Sequence, residues 1–325
     1  ALRSNTGSYN TALGRASLYT QTSGNNNTGL GYQALFSNDS GNNNTAVGHQ
    51  ALRANTTDSN TAVGYNSLYA NTTGTSNTSI GTNALDANTT GTHNNAFGIN
   101  ALGAVTTGSN NVAIGGATGT SLTEGVGNIA IGRNALISAT TTNYNTAIGY
   151  DSLRNNTSTN NVAIGPFTLD ANTSGSNNVA LGYGALGEST SGSQNTAIGQ
   201  GAGSSITTGA KNTILGSYNG NQYGLDIRTS NNHIVLSDGD GNPGKVPIQQ
   251  INNGVNSGKI QSLISTYNYY LQMIRDTTGL NEARDAATPD KNALVGVQKL
   301  AAANSNTATR HILQGGLFLT LKTAE

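Results

Sequence analysis

One phrase, Asn-Thr-Ala-Φ-Gly with Φ being Val, Ile, Leu or Phe, recurs from residue 10 to residue 216 in an almost fixed register. Its closing glycine falls at Gly14, Gly31, Gly48, Gly64, Gly81, Gly98, Gly115, Gly132, Gly149, Gly165, Gly182, Gly199 and Gly216. The interval is 17 residues, shortened to 16 twice. Such a beat constrains the fold more than any other property of a chain. The full consensus reads N-T-A-Φ-G-x-x-A-L-x-x-N-T-T-G-S-x. A helical-hairpin repeat needs about 33 residues or more, so this period is too short for one. It suits one coil of a mainly β architecture, a parallel β-roll or β-solenoid of about thirteen 17-residue coils.

The phrase itself is a short strand. Side chains alternate along a strand, so Thr and Φ should face one way and Asn and Ala the other. The Ala-Leu pair that follows, as in Ala51-Leu52 and Ala135-Leu136, marks a second short strand or a tight bend. Asn-Thr-Thr-Gly supplies turn chemistry, because Asn tolerates and Gly readily adopts left-handed backbone. Coils stacked about 4.8 Å apart would make a rod roughly 60 Å long. Ala1 and Leu2 already occupy the Ala-Leu positions. The chain therefore starts inside a coil, and a fragment with at least one further phrase upstream is expected.

Composition narrows what such a rod does. Only 9% of residues are charged and 34% hydrophobic, with 43 glycines and zero net charge. Disorder normally comes with high net charge and no periodicity, which this sequence lacks. A neutral chain has no electrostatic footprint for nucleic acid. No apolar run is long enough for membrane insertion, and no signal peptide is visible. Without cysteine there is neither a disulfide framework nor thiolate chemistry. Each coil carries about three sizeable apolar side chains, too few to offset its ordering entropy alone. Stacking helps, and association of several copies, with the Φ and Leu ladders buried between chains or inside the coil, would complete the core.

Asn111-Val-Ala-Ile-Gly115, Asn128-Ile-Ala-Ile-Gly132 and Asn161-Val-Ala-Ile-Gly165 resemble the repeat phrase of trimeric autotransporter adhesin heads. The longer form, with Asn-Thr-Ala-Ile-Gly and Ala-Leu, resembles repeats of phage tail-fibre proteins. The segment Gly224 to Pro243 is similar to the β-rich stretch that follows such repeats in fibres. This resemblance covers residues 1–244 and implies a homotrimeric left-handed parallel β-roll in a virion fibre, or on a bacterial surface. The stretch Asn268 to Leu313 resembles part of a portal protein of crAss-like phages. Portals are rings of many copies whereas fibres are trimers. The tail is then either a docking module toward other virion proteins or a join between two proteins near Gly244.

Three parts are expected: a repeat domain over 1–216, a β-hairpin-like cap or linker over 217–245, and a helical segment over 246–325. In the middle part, Leu225 to Thr229 and His233 to Leu236 read as strands joined by Ser-Asn-Asn. In the last, Ile260, Leu263, Ile264, Tyr267, Leu271 and Ile274 follow helical spacing, and a second helix spans about Ala293 to Asn304.

Candidate sites are sparse. His49, His93, His233 and His311 are scattered and suggest neither metal binding nor catalysis. Asp238, Asp240 and Asn242 place oxygen ligands at alternate positions, as a calcium loop does. Pro243 stands where that loop needs Gly, and Gln249 where it needs Glu, so a plain turn is the expected reading. Through Gly216 the acids are Asp39, Asp58, Asp86, Glu124, Asp151, Asp170 and Glu188, with no local pair of the kind a depolymerase tailspike would use. Tyr32, Tyr65, Tyr150 and Tyr183 follow closing glycines and should stack as a structural ladder, or contact sugar. Sequons such as Asn71-Thr72-Thr73 read as turns. No cofactor is expected. The expectation is a non-enzymatic, stiff, multivalent shaft or receptor-binding surface that engages itself and host-surface glycan or protein. The alternatives are an adhesin, an ice-binding solenoid with ordered Thr rows, and a tailspike.

Overall fold

The computed structural model describes residues 5–243, 265–267 and 269–270. The chain divides into two units, Ala1–Asn253 and Gly254–Glu325. The first is a parallel β-solenoid. Each Thr-Ala-Φ triplet, from Thr11–Leu13 to Thr213–Leu215, is a three-residue strand. Successive strands pair in parallel, position for position, so Thr45 faces Thr61 and Ala163 faces Ala180. The strand middle is buried while its flanking residues face outward, for example in Thr45–Val47 and Val162–Ile164. The expected facing therefore holds: Thr and Φ point out, and Asn and Ala point in.

The rest of the coil has no second strand. Ala-Leu lies in a tight bend. The leucine is fully buried but left-handed, with φ of 50° at Leu68 and 53° at Leu136. Left-handed backbone costs an L-residue about 1–2 kcal/mol, and burying the leucine recovers about 1.5–3 kcal/mol. The bend also bonds along the axis, since Leu35 N–H donates to Ala51 O and Leu85 N–H to Ala101 O, each at 3.0 Å. Hydrogen bonding thus runs round the whole coil.

The closing glycine is required by the same stacking. Its φ lies at 107–140° along the series, and a Cβ there would collide with the next coil's backbone, as at Gly64 against Gly81. In the Asn-Thr-Thr-Gly turn the left-handed residue lies elsewhere than expected. It is the residue before the next strand's asparagine, such as Asn43 at 58° or Ser76 at 58°. Gly74 and Gly91 are needed for close approach instead, because a Cβ on either would strike the carbonyl of the glycine one coil further on.

A column of asparagines runs through the interior, from Asn10 and Asn27 to Asn212. In each step the Oδ1 of one accepts the backbone N–H of the next at 2.9–3.1 Å. The Nδ2 donates to a turn carbonyl, as from Asn94 to Gly108 O at 2.8 Å. The asparagine thereby satisfies two backbone groups that would otherwise be buried without partners. A second column, Asn38, Asn55, Asn71 and Asn88, bonds amide to amide, with Asn71 donating to Asn55 and Asn88 to Asn71, each at 2.7 Å. It stops where Val105 replaces asparagine, and the Oδ1 of Asn88 is left buried without a partner. The two 16-residue intervals are absorbed in this turn. The hydroxyls of Thr57 and Ser158 donate to Gly74 O and Gly175 O, and the flanking strands stay in register.

Past Gly216 the structure departs from the expected hairpin of 225–229 with 233–236. Ile234–Leu236 joins the solenoid as a fourteenth parallel strand beside Thr213–Leu215. The longer interval holds a small antiparallel hairpin, Asn221–Gln222 with Leu225–Asp226. Tyr218 is buried beneath it and donates its hydroxyl to Leu225 O at 2.7 Å. Burial pushes its phenol up to about 12. The hairpin is therefore an insertion within the last coil, between the strands Thr213–Leu215 and Ile234–Leu236. In the second unit, residues 265–267 and 269–270 are helical, inside the stretch expected to be so. The rest of the segment from 246, including the second helix over 293–304, lies outside the described residues.

Candidate functional site

Two surfaces of the solenoid stand out. The first is the outer face of the sheet. Its Φ column carries Leu13, Ile80, Phe97, Ile114, Ile164, Leu181, Ile198, Leu215 and Leu236, all exposed. Ile114, for example, has 43% of its surface in solvent. The Φ ladder is thus not inside the coil, whereas the Leu ladder is. Of the two places of burial expected for Φ, inside the coil or between chains, the first does not apply to it. The adjoining column begins with Thr11, Thr28, Thr45, Thr61 and Thr78 and later becomes Val112, Ile129, Val162 and Val179. No charged residue occurs in either column. Contiguous apolar surface of this extent marks interaction sites. The threonine row is broken by Asn95 and by those aliphatic residues, so it makes no continuous array for ordering water.

The second surface is the corner just after the strand, where successive coils stack their side chains. Near the N-terminal end two ladders form. Tyr32, His49 and Tyr65 stack with centroids 5.0 and 5.1 Å apart, and Arg15 lies 5.9 Å from the Tyr32 ring. Beside them Tyr19 stacks on Phe36 at 5.3 Å, and Arg53 sits 5.5 Å from both Phe36 and Tyr69. These rings cover one another's faces. Of the four tyrosines expected to stack, Tyr32 and Tyr65 do so, with His49 between them, and a second ladder stands beside them.

Further along, the same corner changes character. Tyr150, Phe167 and Tyr183 meet edge to face, at 5.3 and 5.8 Å with interplanar angles of 73°. Asp151 lies next to Phe167 in the same column and is 4% exposed. It accepts from Asn134 Nδ2 at 2.9 Å and lies 3.6 Å from Arg154. Asp170 is one coil on. Burial raises its carboxyl above the usual range, and the charge of Asp151 adds to that. The structure therefore brings together two acids that sequence spacing left apart. Asp86 stands alone and is also raised by burial. Asp39 and Asp58 lie in the turn, where they accept from the Thr22 hydroxyl and the Asn42 N–H.

The remaining candidates resolve simply. Oδ1 of Asp238 accepts the N–H groups of Asp240 and Asn242 at 3.0 and 2.9 Å, which closes a turn. Gln249 and His311 lie outside the described residues. His233 takes the place of asparagine at the end of the inner column, its N–H donating to Asn212 Oδ1 at 3.0 Å. His93 is a left-handed turn residue. The sequon asparagines Asn55, Asn71 and Asn88 are fully buried. Among the described residues no three His, Cys, Asp or Glu side chains gather as metal ligands, and no helix is long and apolar enough to cross a membrane. No protein-family model and no curated protein matches the chain.

Proposed function

We propose that the chain is a structural fibre of a phage virion, non-enzymatic, acting as a stiff shaft that displays a repeated binding surface. The observation that carries this reading is the outward Φ column. It is apolar, uncharged and repeated at every coil, so copies set side by side in register would bury it continuously. Three copies complete such a roll, as the resemblance to fibre and adhesin repeats implies. The bonded asparagine columns supply stiffness along the axis, and many weak contacts on one rod add up through avidity. The segment from 246 onward is assigned to docking on other virion proteins, and host-surface glycan or protein is the external partner. Immunogold labelling of virus particles with antibody raised against residues 5–243 tests the location. Label on projecting fibres supports the reading. Label confined to bacterial envelopes moves the protein to the surface-adhesin class.

A further inference from the structure

Tyr150, Phe167 and Tyr183 differ from the N-terminal ladders in what their rings leave open. Stacked rings spend their faces on each other. An edge-to-face contact uses one face of one ring, so the contrast lies in ring orientation: total exposure is close in the two groups, 42% and 56% for Tyr150 and Tyr183 against 37% and 49% for Tyr32 and Tyr65. The ground beside them is bare. At Gly184, which follows Phe167 in its column, a Cβ would meet nothing within 4 Å. At Gly201, one coil further, it would meet only Ser204 Oγ at 3.9 Å. At Gly187 it would lie 3.5 Å from Asp170 Oδ1. Aromatic rings thus border open, glycine-lined surface, with the Asp170 carboxylate beside it.

The charged residues around this surface are Arg133 and Arg154 against Asp151, Asp170 and Glu188, so positive charge is not in excess. Asp151 and Arg154 also hold each other, so neither is a free charge for an ionic partner. What the corner offers is aromatic face, carboxylate acceptors and guanidinium donors, with no positive excess. A sugar ring presents CH groups on its face and hydroxyls, which both donate and accept, round its edge. The electron-rich aromatic face suits the former, and mixed donors and acceptors suit the latter. A polyanion would find no excess positive charge here.

We infer that the corner formed by Tyr150, Phe167, Tyr183, Asp170 and Gly184 binds a segment of neutral polysaccharide. This rests on the external-partner part of the reading above and is independent of how many copies associate. The test is retardation of the full-length chain in native gels cast with dextran, mannan, amylose or, as the acidic comparison, hyaluronate. Light scattering on the same samples reports the oligomer. Retardation by at least one neutral polymer is expected, weakened about tenfold by Phe167→Ala or Tyr183→Ala. Tyr32→Ala in the stacked ladder should leave it unchanged. Gly184→Gln, which fills the open ground, should weaken it likewise. Absence of retardation by all three neutral polymers overturns the inference, as does retardation indifferent to Phe167, Tyr183 and Gly184, or selective for hyaluronate. Release of oligosaccharides abolished by Asp170→Asn would overturn it in favour of hydrolysis. A changed oligomer with unchanged retardation would count against the fibre geometry alone.

Discussion

A Cβ built on Gly203 would lie 3.2 Å from Cδ1 of Ile206 and 2.9 Å from Cδ2 of Leu186, inside the leucine ladder. Gly203 occupies the position held in most coils by the buried leucine, and Ile206 the position most often held by asparagine. Where the ladder loses its leucine, a large apolar residue three places later takes over the volume. The same exchange recurs at Gly119, with Leu122 buried after it.

The two positions should be energetically coupled. Gly203→Leu alone overfills the core and should cost about 1–3 kcal/mol. Ile206→Asn alone leaves a cavity and should cost about 2–5 kcal/mol. The double variant restores the repeat consensus and should lose less than the sum of the two. A double-mutant cycle by thermal or denaturant unfolding gives the coupling, and simple additivity would contradict it.

Asn111 carries a full set of inner-column bonds: to Gly125 O at 2.7 Å, to Asn94 Oδ1 at 3.1 Å, and from Asn128 N–H at 2.9 Å. Asn111→Ala should cost about 3 kcal/mol or more, because a buried N–H and a buried carbonyl lose their partners. Asn128→Ala should cost similarly, and an exposed turn change such as Thr107→Ala should cost little. Hydrogen exchange at the Asn128 amide should quicken in the Asn111→Ala protein while amides several coils away keep their protection.

Much of this was legible in the sequence because each coil repeats the same physical problem. The glycine register gave strand position and pairing, and period-2 alternation gave the facing of Thr, Ala and Φ. The left-handed Leu136 was not legible, since leucine ordinarily avoids that conformation and only stacked burial forces it. Ile234–Leu236 was missed as a solenoid strand because Ser237 replaces its closing glycine and a hairpin stretches the interval. The proximity of Asp151 and Asp170 was missed because nineteen residues separate them in sequence whereas a single coil separates them in space.

Asp170 and Asp86 both titrate above the usual carboxylate range, chiefly through burial. A raised carboxyl binds its proton more tightly folded than unfolded. Its contribution therefore favours the fold at low pH and is lost as pH climbs from near 3.8 through the raised value. Asp170→Asn and Asp86→Asn should melt higher than the parent at neutral pH, and the difference should shrink below that window. Melting curves across pH 3 to 8 would show it, and a lower neutral-pH melting temperature in both variants would contradict it.

The outward Φ column is the centre of the proposal, and Ile114 is its most direct probe. In one isolated chain Ile114 is 43% exposed, so Ile114→Asp should cost that chain little. Between copies the aspartate would be buried and unpaired, at a cost of several kcal/mol per chain. Leu136→Ala differs: its leucine is 1% exposed within the single chain, and the fold itself should weaken by about 2–5 kcal/mol. Mass in solution by sedimentation equilibrium separates these cases. The account predicts three times the chain mass of 33.0 kDa for the parent protein, falling to one chain mass with the β signature retained for Ile114→Asp. A parent protein that sediments as a single chain, or an Ile114→Asp protein that stays trimeric, would contradict it.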